Sequence, residues 1–304
     1  MQRTLWKAFS LSRFRFRKSL VALVIVLLAA GYGTLCVLEN ARPDLPVLVA
    51  AESQVSGSAF VTMLHDLMQE QLDSFGGWLP NDLPLSPGWF LDDTPNFQLG
   101  MLQVVRHATR VLRDNLSRQR TSDAVHKEAD LAFTAFANDP RRWAFPSAEG
   151  AFARGNAALE RFQADLGGKA GFFPRSDNLI QLLDPLMSEL GAVTTTLAKS
   201  RSDTDAAGWL EVDDNFYYAQ GAAFAMLGLM RAVRFEFRGV LQDKAALEIT
   251  DQIIRSLEDS QFEPWIITNG RKDGFLANHS NNLKVYLDDA RQKMNSLVSI
   301  LVKG

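Results

Sequence analysis

The sequence has one cysteine, Cys36, and only four histidines, His65, His107, His126 and His279. Cys36 falls inside an apolar run near the N-terminus, so the chain beyond it has no thiol for a disulfide, a nucleophile or a cysteine-bound metal. The histidines show neither an i, i+4 pair nor an HExxH spacing, and no metal is expected. A surplus of positive charge is missing too: 32 Lys and Arg stand against 35 Asp and Glu, so nucleic acid is not an expected partner. Gly-x-Ser-x-Gly elbows, phosphate-cradling glycine loops and dinucleotide fingerprints are lacking, and no catalytic residue or cofactor is assigned. Sustained two-residue alternation is scarce as well, which argues against a sheet.

What the sequence does have begins with Ser19–Leu38, 20 consecutive uncharged residues. A helix of that length covers about 30 Å, the thickness of a bilayer's hydrocarbon core. Six cations (Arg3, Lys7, Arg13, Arg15, Arg17, Lys18) and no acid precede it. Basic residues are retained on the cytoplasmic side, so the expected order is a basic cytoplasmic tail over 1–18, a transmembrane anchor over 19–38 in contact with the lipid bilayer, and a linker over 39–52. The exit Val37-Leu38-Glu39-Asn40-Ala41 fits a signal-peptidase site poorly. The expected location is a bacterial inner membrane, crossed once, with the main domain in the periplasm.

Self-comparison finds a spacing of about 120 residues. Gly88-Trp89-Phe90-Leu91-Asp92-Asp93, then Asn96-Phe97 and Gly100, recurs as Gly208-Trp209-Leu210, Asp213-Asp214, Asn215-Phe216 and Gly221. Trp143, Phe152 and Leu159 are echoed by Trp265, Phe275 and Leu283. Two pseudo-repeated units are therefore expected, 53–175 and 176–304, each with four helical patterns. Apolar spacing places these helices near 58–75, from Asp93 onward, 122–138 and 147–166, then at 178–199, 214–238, 243–260 and 278–302. The expected class is all-α: an N-terminal transmembrane helix followed by two tandem four-helix units.

Residues kept in both copies are first candidates for fold maintenance, so Trp89, Trp143, Trp209 and Trp265 are expected to anchor the core or its loops. Asp92, Asp93, Asp213 and Asp214 are expected just ahead of helices, where carboxylates cap free N–H groups. Arg106, Arg110 and Arg113 fall opposite the apolar stripe of the second helix and are expected to face solvent. Gly221–Met230 is apolar on every side, which predicts a buried central helix. Tyr217, Tyr218 and Gln220 lead into that run and Arg231 and Arg234 follow it. Buried polar groups need partners. Acids of a neighbouring helix supply them, or these residues, with Asp213 and Asp214, line a site for an anionic ligand. The seven are the candidate ligand-binding residues.

The basic tail and single span, Trp78-Leu79-Pro80-Asn81-Asp82, Pro87-Gly88-Trp89, Asp93–Gly100 and Asp213–Gly221 together resemble the DUF 2333-type family of bacterial membrane-anchored proteins. The resemblance implies a location at the membrane and carries no activity or catalytic residue with it. The favoured reading is a non-enzymatic binding or scaffolding component of the cell envelope, with an envelope protein or an anionic ligand as partner. The alternatives are a carboxylate-dependent enzyme acting on cell-wall or other polysaccharide, and a protein that binds lipid or an anionic ligand.

Overall fold

A run such as Gly221-Ala222-Ala223-Phe224-Ala225-Met226-Leu227-Gly228-Leu229-Met230, with no polar face, is stable in water only when other helices surround it. In the computed structural model all ten of these residues are buried, in the middle of a long helix that organises the rest. The structure describes residues 2–48, 55–120, 122–199, 209–262, 264, 267 and 277–303. Among them there are ten α-helices and no strand. They are α1 Gln2–Glu39, α2 Ser58–Asp73, α3 Asp93–Val111, α4 Lys127–Phe136, α5 Ala148–Asp165, α6 Ser176–Lys199, α7 Trp209–Glu236, α8 Arg238–Asp243, α9 Leu247–Asp259 and α10 His279–Lys303. Short 3-10 turns at Leu79–Asn81 and Pro87–Phe90 break the long α2–α3 connection, and a π-helical turn, Leu112–Leu116, extends α3.

α7 and α3 form the central pair, and their closeness has a simple cause. A methyl group on Gly100 would stand 2.0 Å from the Tyr218 carbonyl oxygen, and one on Gly221 would stand 1.9 Å from that of Phe97. Only glycine lets two helix backbones meet in this way. Around the pair, α2 packs on α5, α5 on α4 and α4 on α3, while α6 packs on α10, α10 on α9 and α9 on α7. Each half also reaches across, α2 to α7 and α6 to α3, and one hydrophobic core runs through both. The ends are tied as well: Glu236, at the close of α7, accepts from the Gly57 and Ala59 amides at 2.7 and 2.8 Å and so caps α2.

Several expectations change on contact with the structure. α7 opens at Trp209, so Asp213 and Asp214 lie in its second turn and not ahead of it. Asp92 stands at the start of α3 but makes no side-chain capping bond. Arg106 is not a solvent-facing charge. Its guanidinium donates to the Phe136 and Asn138 carbonyls at 2.7 and 2.6 Å, closing the C-terminus of α4. Arg113 pairs with Asp114 at 2.7 Å and lies over the Phe133 ring, whereas Arg110 is exposed as expected. Trp143 is exposed and anchors no core. That role falls to Trp78, buried edge-on to Phe152 at 4.9 Å with its indole N–H on the Pro140 carbonyl. Trp265 and the side chains of Trp89 and Trp209 lie outside the described residues.

α1 is the one helix among the described residues long and apolar enough to cross a membrane, over Leu20–Glu39, and none of that stretch is buried in the protein. Its last turns are fastened to the body. The Tyr32 hydroxyl donates to the Leu85 carbonyl at 3.0 Å, and the Cys36 thiol faces the Pro87 carbonyl at 3.8 Å.

Candidate functional site: an acidic cluster beneath the linker

The close crossing of α3 and α7 has an electrostatic consequence at their N-terminal ends. Asp92 and Asp93 start α3 a few residues before Gly100, and Asp213 and Asp214 stand at the matching distance before Gly221. Backbones that touch at the glycines bring these acids together. Carboxylate oxygens of Asp92, Asp93 and Asp213 all lie within 4.8 Å of one another, and all three residues are half-buried. Like charges so placed do not all ionise freely. The Asp213 carboxyl is pushed up to about 7, chiefly by burial and then by Asp93 and Asp92. Burial also raises Asp93 and Asp214, each partly offset by an asparagine. Asp213 is therefore the acid of the cluster that keeps its proton to the highest pH, with Asp93 as its hydrogen-bonding neighbour.

The cluster is held by its own chain. Asn96 donates to Asp214 at 2.7 Å and Asn40 to Asp93 at 3.4 Å, while Thr94 donates to Asn40 at 2.9 Å. Two residues after Asn40, Arg42 crosses the gap between the helices. Its guanidinium lies 4.5 Å from the Tyr217 ring centre and 5.1 Å from that of Phe97, and it donates to the Gln220 side-chain oxygen. It also lies close enough to Asp93 to oppose the rise in that carboxyl. This donor set of three carboxylates is the one grouping among the described residues suited to a hard divalent cation, and the cation already beside it is the linker's arginine.

The seven candidate residues separate into four places. Asp213 and Asp214 belong to the cluster. Tyr217 and Gln220 lie under Arg42; burial, and then Asp93, pushes the Tyr217 hydroxyl up to about 12, and the Gln220 amide donates to the Phe262 carbonyl at 2.7 Å. Tyr218 turns the other way and donates to Glu189 of α6 at 3.1 Å. Arg231 and Arg234 are not buried; they pair with Glu258 at 2.6 Å and with Asp251, both on α9. Acids of a neighbouring helix thus satisfy them, the first of the two arrangements the sequence left open. An open cleft of about 330 Å³ lies between the linker and α7, with Arg42, Gln220, Arg231 and Glu258 on its walls and Phe97, Phe224 and Leu227 below.

Sequence reasoning missed Arg42, Asn40 and Glu189. Arg42 was the most findable, as the first cation after the apolar segment. Its partner, however, is 178 residues away, and no local spacing announces such a pair. Glu189, buried among the apolar residues of α6, also receives His107 at 3.5 Å. The profile of a family described as an uncharacterised protein conserved in bacteria (DUF2333) matches residues 16–207 and 200–304. No curated protein and no solved structure matches the chain.

Proposed function

The chain belongs to this uncharacterised bacterial family, and we propose on that premise that Leu20–Glu39 is an uncleaved, single-pass anchor in the inner membrane. The N-terminus is then cytoplasmic and the helical body sits on the periplasmic side as a non-enzymatic binding or scaffolding component of the cell envelope. The observation that carries this reading is the fastening of α1 to the body. Tyr32 bonds Leu85, Cys36 faces Pro87, Asn40 joins Thr94 and Arg42 is seated over Tyr217 and Phe97. A leader removed by signal peptidase has no need of partners 50 residues downstream. The six leading cations supply the orientation.

The non-enzymatic reading is favoured because Arg42 covers Tyr217 and Gln220, two of the α7 polar groups that a ligand would otherwise meet. A second reading, a carboxylate-dependent enzyme acting on glycan, is motivated by one observation, the carboxyl of Asp213 held near 7 among three other acids. Fusions of alkaline phosphatase and of a fluorescent protein to the C-terminus test the topology. Phosphatase activity without fluorescence, in a chain of full-length mass, is expected. A fluorescent fusion, or a chain lacking its first 38 or so residues, overturns the proposal. Turnover of cell-wall glycan by the wild type and not by Asp213→Asn overturns the non-enzymatic part alone.

A further inference from the structure

Among the described residues outside α1, exposed Val47, Val55, Val125, Leu131, Val285 and Val302 are scattered aliphatics, whereas five other exposed apolar side chains, every exposed aromatic among them, gather in three loops. Phe75 is 54% exposed, Leu83 56%, Leu85 73%, Trp143 67% and Phe145 93%. The loops are Ser74–Gly77, Asp82–Leu91 and Arg141–Pro146, and the second has no charge after Asp82. All three are tied to the end of the body from which α1 leaves. A methyl group on Gly76 would fall 2.8 Å from the Glu39 side chain, and Leu85 and Pro87 meet Tyr32 and Cys36. The third loop is held beside the second, since Asn81 donates to the Arg142 carbonyl at 3.2 Å and Trp78 to that of Pro140 at 2.8 Å.

We propose that these loops lie in the lipid surface beside α1, with Phe75, Leu83, Leu85, Trp143 and Phe145 seated among headgroups and upper acyl chains of the leaflet from which the helix emerges. The inference rests on the anchor reading. Tyr32 precedes Glu39 by seven residues, which places it about 10 Å below the end of the apolar segment at 1.5 Å per residue. The Leu85 carbonyl meets the Tyr32 hydroxyl at the tip of that side chain, so the second loop reaches down beside the last turns of α1. Backbone that approaches the acyl region needs an internal partner, and Tyr32 provides one. Leu85 also has φ near +77°, unusual for a side chain of its size, in a turn that leaves the leucine outermost. In the third loop Arg142 donates to the Ala144 and Phe145 carbonyls at 3.3 and 2.8 Å, stiffening the segment that presents Trp143 and Phe145. Arginines flanking outward aromatics suit anionic headgroups above a hydrocarbon edge.

The test uses the full chain with Cys36→Ser, reconstituted into vesicles of phosphatidylethanolamine and phosphatidylglycerol. Nitroxide labels are placed singly through Leu28→Cys, Leu85→Cys, Phe145→Cys and Val302→Cys. Leu28 is mid-span. Val302 marks the far end: α9 runs antiparallel to α7 through Arg231–Glu258 and Arg234–Asp251, and α10 runs antiparallel to α9 through Ser256–Asp289 and Phe262–Tyr286. The ratio of relaxation by dissolved oxygen to relaxation by a water-soluble nickel chelate is expected to be severalfold higher at 28, 85 and 145 than at 302. Labels at 85 and 145 that match 302, with 28 still in lipid, overturn the loop contact and leave the anchor standing. A water-like label at 28 overturns both.

Discussion

Within the central helix pair, two neighbouring stretches face opposite demands. At Gly100 and Gly221 the backbones of α3 and α7 touch; about two turns earlier, Asp92, Asp93, Asp213 and Asp214 crowd like charges into half-buried space. The first stretch gains close packing, and the second is a geometrical result of the first, because helices that meet at the glycines hold their N-terminal ends together. The repulsion is eased by protonating Asp213 and by Asn40, Asn96 and Arg42 rather than by moving the helices apart. Packing sets the geometry and electrostatics adjusts to it.

The largest expected effect comes from opening the crossing. Gly221→Ala sets a methyl group against the Phe97 backbone, which has no rotamer to yield, and a loss of about 3 kcal/mol is expected in urea unfolding of the detergent-solubilised protein. Gly228→Ala is the contrast. There the nearest obstacle is the flexible Met63 thioether, and the gain in helix propensity of about 1 kcal/mol offsets its displacement, so a change near zero is expected. Equal effects from the two substitutions would mean that the crossing does not govern the distance between α3 and α7.

Next in size is Arg42→Ala. It removes a hydrogen bond to Gln220 and contacts with two aromatic faces, and about 2 kcal/mol of destabilisation is expected by the same unfolding assay. Faster proteolysis of the linker is expected with it, read by the appearance of a body free of α1. An unchanged cleavage rate would show that the linker is fastened by Asn40 and by the packing of Leu45 beside Gly228, without help from the arginine.

The unequal legibility of the chain follows the same division. Helix class and positions were readable because apolar spacing is local: α2, α5, α6 and α10 begin and end within a few residues of where periodicity puts them, and Ser176-Asp177 marks the start of α6. The paired acids and glycines were readable as a repeat. The division at 175/176 into two related units stays a proposal, supported by the reciprocal contacts of Gly100 with Tyr218 and Gly221 with Phe97. That the acids converge was not readable, since it depends on which helices cross. Nor was Arg106 as a cap, because a charge opposite an apolar stripe looks solvated until α4 ends beside it.

Asp213→Asn sharpens the comparison with opposite sign. The folded carboxyl sits near 7 against an ordinary 3.8, so between these pH values the folded protein holds a proton that the unfolded chain has released. Stability therefore falls as pH rises from about 4 to 7 and is lowest above it. In a sealed site the rise would be worth about 4 kcal/mol, but solvent reaches half of this group, and about 1 kcal/mol is expected. The side-chain amide put in place of the carboxyl has no proton to lose and still donates to Asp93, so the variant should melt higher than wild type at pH 8 and equally at pH 4. The groups facing position 213 are Asp92, Asp93 and Asp214. If the wild-type melting profile were flat from pH 5 to 8, those acids would be better solvated than their spacing implies.

The smallest effect is expected at the other end of α7, and it decides whether the cluster is special or merely one of many charge contacts. Arg231 and Arg234 pair with Glu258 and Asp251, yet all four side chains are open to water to a substantial degree. Exposed pairs gain little, because each partner gives up hydration and side-chain freedom and salt screens what remains. Arg234→Ala is therefore expected to change unfolding by no more than about 0.5 kcal/mol, and less as salt is added. A loss above about 1 kcal/mol that persists at high salt would place these arginines in the packing of α7 against α9. The contrast between an adjustable surface and a fixed acidic cluster along one helix would then fail at its surface end.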